Sequence, residues 1–376
     1  MIYLDNSATT IPDPSVIESY QQVIKNIVGN PSSLHSLGGQ AERLLETARK
    51  QVATQLGVNT EEIIFTSGGT EGNNMAIKGI ALAHQNRGKH IITSTIEHPS
   101  VLEVCASLEK LGFGVTYVPV HKNGVVDLEV LEQSIREDTI LISIMHVNNE
   151  LGSIQPIREI GEIAKRYPKL YFHVDDVQGL GKVPLALHQQ HVDMATFSGH
   201  KIHGLKGTGI FYIRQGTTLF PLLHGGDQEY GLRSGTEHVA GAVAIAKALR
   251  LIKESEQNKR AHLQHLNAYL CEGLKQTDSV VINSSQHSAP HIVNISIPNL
   301  KPETVIHALG EHDIYVSTTS ACSSKSRDDS AVLTACGFSK TRSQTALRIS
   351  LAYTNTEAEL KEFLHVLNDV IEQLLN

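Results

Sequence analysis

Five short apolar runs punctuate the first half of the chain: IIFT at 63–66, HIITS at 90–94, VTYVPV at 115–120, ILISIM at 140–145 and LYFHV at 170–174. Segments with helical spacing lie between them, at 41–56, from Glu71, from Pro99 to about Leu111, at 128–136 and at 157–167. Runs this short and this continuously apolar suit strands buried on both faces. Strands that alternate with helices imply parallel pairing, because a parallel connection needs a crossover and not a tight turn. The expected fold is therefore α/β, a mostly parallel sheet covered by helices, with ligands gathering at the carboxyl ends of the strands.

The pattern changes near residue 279, where short strands at 280–282, 291–297 and 348–351 mix with helices and suggest a smaller α+β unit. Residues 238–276, rich in Ala, Leu and Lys, read as one long connecting helix. The last helix is marked by a capping box, Thr356 with Glu359 three residues on, and by one apolar face of Leu360, Phe363, Leu364, Leu367, Ile371 and Leu374. At 376 residues a large and a small domain are expected: 15–250 for the large α/β domain, and 1–14 with 251–376 for the small one.

The turn after the first run carries a specific signal. SGGT at 67–70 leads from a strand into a helix beginning near Glu71, which aims backbone N–H groups and the positive end of a helix dipole at whatever lies above the strand. A phosphate suits that position; a plain β-to-α turn would need the same glycines. His98, Asn149, Asp175 and Gln178 each follow an apolar run, so all four fall on the ligand edge of the sheet.

Charge and cysteine usage remove several function classes. A formal net charge of -7 argues against a dedicated binder of nucleic acid or acidic membranes. The N-terminal residues lack the basic and apolar regions of a secretory leader, and no stretch reaches the length of a membrane span, so a cytoplasmic protein is expected. Four scattered cysteines, Cys105, Cys271, Cys322 and Cys336, make neither a disulfide framework nor a CxxC metal pair. They are expected to be free thiols. Cys105 and Cys271 fall in helical patterns and read as packed, and Cys336 as half buried.

Residues 196–209, TFSGHKIHGLKGTG, set Lys201 between Ser198-Gly199-His200 and a run of glycines. An ε-amine there can anchor an aldehyde cofactor covalently if burial or a neighbouring cation lowers its pKa. A polar loop with no such task would read similarly by itself.

Taken together, FTSGGTEGNN, EHPSV, HVNNELG, FHVDDVQ, SGHKIHGLKGTG, GLRSGTEH and SACSS stand in the order and spacing of the cysteine desulfurases, class V aminotransferases among the fold type I pyridoxal-phosphate enzymes. The resemblance runs from LDNSATT to ALRISL, essentially the whole chain. It implies that Lys201 holds pyridoxal 5'-phosphate and moves the substrate's α-proton, while Asp175 sits against the pyridine nitrogen and keeps it protonated. It gives Gln178 and Asn149 the phenolic side of the ring, and His98 its face, with a share in proton movement. Gly69, Thr70, Ser198 and His200 would hold the phosphate, joined by Thr236 from a second subunit, which makes a homodimer the expected assembly.

For the substrate, L-cysteine, Arg348 is the residue expected to pair with the carboxylate, helped by Asn30 in GNPSSLH. Cys322 lies in VSTTSACSSKSRDD, whose small and charged residues favour an exposed, movable loop. A thiolate there would take the substrate sulfur as a persulfide, release alanine and pass the sulfur to acceptor proteins of iron–sulfur cluster assembly or tRNA thiolation. The spacing around Cys322 resembles the long-loop branch of the family. Two positions depart from its usual pattern: Asp176, where a small residue is common, and Leu205, where a proline is. A related lyase or aminotransferase without persulfide chemistry, or a cofactor-binding scaffold without turnover, would share the cofactor residues; alanine and sulfide released from cysteine tell them apart.

Overall fold

The computed structural model describes residues 1–318 and 329–375. Its central sheet has seven strands in the spatial order Ile63–Thr66, Gly209–Ile213, Met194–Ser198, Tyr171–Asp175, Thr139–Met145, His90–Ser94, Gly114–Val118. Neighbours pair in parallel except around Gly209–Ile213, which runs antiparallel to both its neighbours. Successive strand residues point to opposite faces: Ile63, Ile92 and Ile142 enter one apolar core, and Ile64, Ile91 and Leu141 the other. Helices cover both faces, so the molecule has the α/β architecture expected of the five apolar runs.

Met194–Ser198 and the helix Pro14–Asn26 are additions to the elements legible from periodicity. Three of the strand's five residues, Ala195, Thr196 and Ser198, are small or hydroxylated, and its burial comes from the strands on either side.

The stretch 238–276 is two helices and not one. Val239–Lys253 packs Ala244, Ile245, Ala248 and Leu249 into a core of the large sheet. The chain then turns at Ser255, which takes a left-handed φ of 56°, and Glu256–Lys275 packs Leu263, Leu266, Leu270 and Leu274 into a separate core. A straight helix cannot bury its apolar face in two cores at once. The break answers that demand.

The second core lies over an antiparallel sheet of Ser317–Thr318, Ala346–Ser350, Ile292–Ser296 and Val281–Ile282. Ile2–Tyr3 pairs in parallel with Ile314–Tyr315, so the chain starts on this side and then crosses to the edge of the large sheet. The closing helix Glu357–Leu375 has its capping box: Thr356 N donates to Glu359 Oε2 at 2.8 Å, and Glu359 N to Thr356 Oγ1 at 3.2 Å. Among the described residues no helix is long and apolar enough to cross a membrane.

Candidate active site

The site begins where Ile63–Thr66 gives way to a helix. That helix, Gly69–His84, starts two residues earlier than the sequence suggests, because Gly68 at φ 147° and ψ -171° lets the chain reverse at once. A side chain is strained in that backbone conformation. Ser67, Gly68, Gly69, Thr70, Ser198 and His200 line a cavity of about 470 Å³ over the helix start. A Cβ on Gly69 would come within 2.8 Å of Val177 Cγ2, so bare backbone is needed there as well. Unpaired N–H groups and the positive end of the dipole make this a seat for an anion.

A second cavity, of about 170 Å³, adjoins the first and shares Gly69, Thr70, Ser198 and His200 with it. His98, Asn149, Asp175 and Gln178 line it from successive strand ends, with Lys201 and Arg348 completing the wall. Ten positions singled out in the sequence thus meet in one place. Gln178 Oε1 and Ser7 Oγ, on residues that line it, are buried without a partner among the described residues, as the binding atoms of a ligand site would be.

Lys201 is buried, on a one-turn 3₁₀ segment, Gly199–Lys201, that follows the strand Met194–Ser198. Its Nζ donates to the backbone carbonyls of Ser7 and of Ala8, the latter at 2.8 Å. The N-terminal arm holds the turn from the other side: Thr10 N donates to His200 O at 2.8 Å, and His203 N to Thr10 Oγ1 at 2.8 Å. Ser7 and Ala8 are functional positions that periodicity could not find; only the LDNSATT motif hinted at them. Burial and the charge of Lys201 pull the His200 imidazole down to about 4, which leaves a neutral ring at pH 7.

Asp175 ends its strand with both carboxylate oxygens engaged. Val177 N donates to Oδ1 at 3.0 Å and Asn73 Nδ2 to Oδ2 at 2.7 Å. Asn73 also donates to Ser100 Oγ at 2.9 Å, and Ser100 Oγ lies 2.8 Å from His98 Nδ1. The two polar residues between Asp175 and His98 were missed in the sequence, where they read as ordinary helix-start residues.

The unusual Asp176 turns away from the cavity. Its Oδ1 meets His146 Nδ1 at 2.6 Å in a buried pair, and burial raises its carboxyl above the usual range while His146 opposes the shift. Glu97, next to His98, is fully buried and pushed up to about 8 by burial, with the Asp175 charge adding to the rise.

Arg348 is 3% exposed, not a surface cation. Nη2 pairs with Asp5 Oδ1 at 2.9 Å, Nη1 donates to Asn149 O at 3.0 Å, and Nε is buried without a partner among the described residues. Two predicted positions lie elsewhere within this chain. Asn30 is in an exposed turn, where Oδ1 accepts from Ser32 N at 2.9 Å, and Thr236 lines a neighbouring cavity with Ser67, Gly207 and Arg233. Cys322 lies outside the described residues. Of the other thiols, burial pushes Cys105 and Cys336 each up to about 12; Cys271 is half-buried, and also raised by burial.

A buried lysine, a fixed carboxylate and an anion seat within one pocket suit an aromatic cofactor that carries an aldehyde and a phosphate. Comparison with known proteins points the same way. A family model described as aminotransferase class-V matches residues 2–363. A NifS/IcsS protein homolog of Lactobacillus delbrueckii subsp. bulgaricus is 48% identical over 375 residues, 99% of this chain and 97% of that protein. The cysteine desulfurase IscS of Methanosarcina thermophila is 45% identical over 377 residues, 100% of this chain and 93% of that one. A solved structure of a NifS-like protein superposes with a TM-score of 0.94 at 41% identity, covering 99% of both chains. The chain belongs to the class-V aminotransferase family and, within it, to the cysteine desulfurases.

Proposed function

We propose that this protein is a pyridoxal 5'-phosphate-dependent enzyme that converts L-cysteine to L-alanine and passes the sulfur on as a persulfide of Cys322. The observation that carries the reading is the meeting of Lys201, Asp175 and the glycine-started helix in one buried pocket. The donor set fits the cofactor. Asp175, held by Asn73 and Val177, suits a protonated pyridine nitrogen, and the anion seat from Gly69 to Thr70, with Ser198 and a neutral His200, suits its phosphate. When bound, the cofactor supplies an electron sink for charge that builds on the substrate's carbons.

The chain's own residues do the rest. Lys201 Nζ would hold the cofactor's aldehyde carbon and move the substrate's α-proton; Ser7 and Ala8 carbonyls are within its reach to orient it. Gln178 and Asn149, which line the cavity, would hold the phenolic side of the cofactor, and His98 its ring face. Arg348 takes the substrate carboxylate. Nε–H has no partner among the described residues, and Nη1 and Nη2 each carry a second N–H, so Arg348 keeps donors for the carboxylate beside its bonds to Asp5 and the Asn149 carbonyl.

A Cys322 thiolate then attacks the substrate sulfur. The new S–S bond forms as the carbon–sulfur bond breaks, its electron pair stays with the carbon fragment, and that carbon takes a proton before leaving as alanine. The high pKa values of the other thiols support Cys322 as the acceptor. The active enzyme is read as a homodimer in which Thr236 reaches the partner's phosphate and Asn30 helps bind substrate. Sulfur then goes to acceptor proteins of iron–sulfur cluster assembly or tRNA thiolation. Incubation with L-cysteine tests the reading: alanine and persulfide or sulfide should form together, and cysteine consumed to any other amino- or keto-acid product would contradict it.

A further inference from the structure

His98 is tied to the pocket's carboxylate by a chain of hydrogen bonds whose direction can be worked out from one end. A carboxylate only accepts, so the Asn73 group 2.7 Å from Asp175 Oδ2 must be its NH₂; the carbonyl in that place would face like charge. The second N–H of that NH₂ goes to Ser100 Oγ at 2.9 Å. The Asn73 carbonyl is buried without a partner among the described residues, so none of them pulls the amide the other way.

Ser100 Oγ already accepts from Asn73, and its own proton is free for His98 Nδ1 at 2.8 Å. The backbone N–H of Ser100 is 3.1 Å from the same nitrogen and can only donate. Two donors therefore converge on Nδ1. That bond also caps the helix Pro99–Glu109, so a proton on Nδ1 would oppose the Ser100 donors and undo the cap together. A neutral imidazole in this setting keeps its hydrogen on Nε2.

We propose that Asn73 and Ser100 lock His98 as the Nε2–H tautomer, so that it presents a neutral hydrogen-bond donor to the pocket. Asn73 and Ser100 are positioning residues; neither needs to touch substrate. The proposal rests on the desulfurase reading only for the chemistry it serves. Burial, aided by the charge of Lys201 and opposed by that of Asp175, also lowers the ring's pKa, which agrees with a neutral His98.

Nitrogen NMR of ¹⁵N-histidine-labelled protein tests the lock without turnover. The His98 signals, assigned by their loss in His98→Gln, should show an unprotonated Nδ1 and a protonated Nε2 between pH 6 and 9, in the holoenzyme and after cofactor removal. Ser100→Ala should raise the pH at which the ring takes a second proton, and Ser100→Thr should restore it. An Nδ1–H or doubly protonated ring, or an unchanged titration in Ser100→Ala, would overturn the proposal. A wild-type protein that releases no alanine contradicts the desulfurase reading instead, and the nitrogen shifts still decide the tautomer.

Discussion

Lys182 Nζ donates to the backbone carbonyl of Lys201 at 3.0 Å, so a second buried lysine braces the turn that presents the first. Burial and, after it, the Lys201 charge lower the Lys182 amine to about 7, with Asp176 opposing the shift. Charged or neutral, the amine still donates, so the brace survives titration.

Lys182→Met keeps the apolar stem and removes only the donor. The Lys201 carbonyl then loses a buried partner, at about 1–3 kcal/mol. The expected result is faster loss of cofactor absorbance on dialysis, with the helices intact by circular dichroism. Equal retention in both proteins would show that the brace does not position Lys201.

Glu97 gives a prediction about pH. Its folded-state pKa of about 8 lies above the ordinary 4.5, so the folded protein holds a proton that the unfolded chain has lost. The stability this carboxyl contributes is present below about pH 4.5 and is lost as pH rises toward 8. Glu97→Gln keeps an acceptor for Ser94 Oγ and Met145 N and cannot titrate. Denaturant midpoints of wild type and variant should agree near pH 5 and separate by pH 8, with the variant ahead; parallel curves would contradict the assignment.

How much of this was legible beforehand follows the range of the forces involved. The strands at 63–66, 90–94 and 140–145 and the capped final helix are written locally, in apolar runs and a Thr356–Glu359 box, and they stand within a residue or so of their expected places. Met194–Ser198 is not, because its neighbours in the sheet supply its burial. The break at Ser255 also escapes periodicity, since both halves keep a helical pattern and only the existence of two cores separates them. In the site, motifs marked Lys201, Asp175 and His98, whereas Asn73 and Ser7 act through partners 27 to 194 positions away. Asp176 could be noticed as an oddity in the sequence, but its pairing with His146 required the fold.

The dimer reading makes its own forecast. Thr236 stands on a loop beside its own chain's Ser67 and Gly207, outside the main pocket. Thr236→Ala should weaken cofactor binding by roughly 0.5–1.5 kcal/mol, or up to about 3 with a charged acceptor. Equilibrium cofactor titration at protein concentrations where sedimentation shows a dimer measures this. A fully active monomer would rule out the shared site.

The central claim is that sulfur passes through Cys322. Its most direct measurement is alanine release from L-cysteine by wild type and by Cys322→Ser, with the cofactor spectrum recorded alongside and Cys105→Ala, Cys271→Ala and Cys336→Ala as comparisons. The account predicts that Cys322→Ser keeps the yellow cofactor and still changes its spectrum on adding cysteine, yet releases no alanine, while the other three retain most of the wild-type rate. Alanine release by Cys322→Ser at the wild-type rate would contradict it.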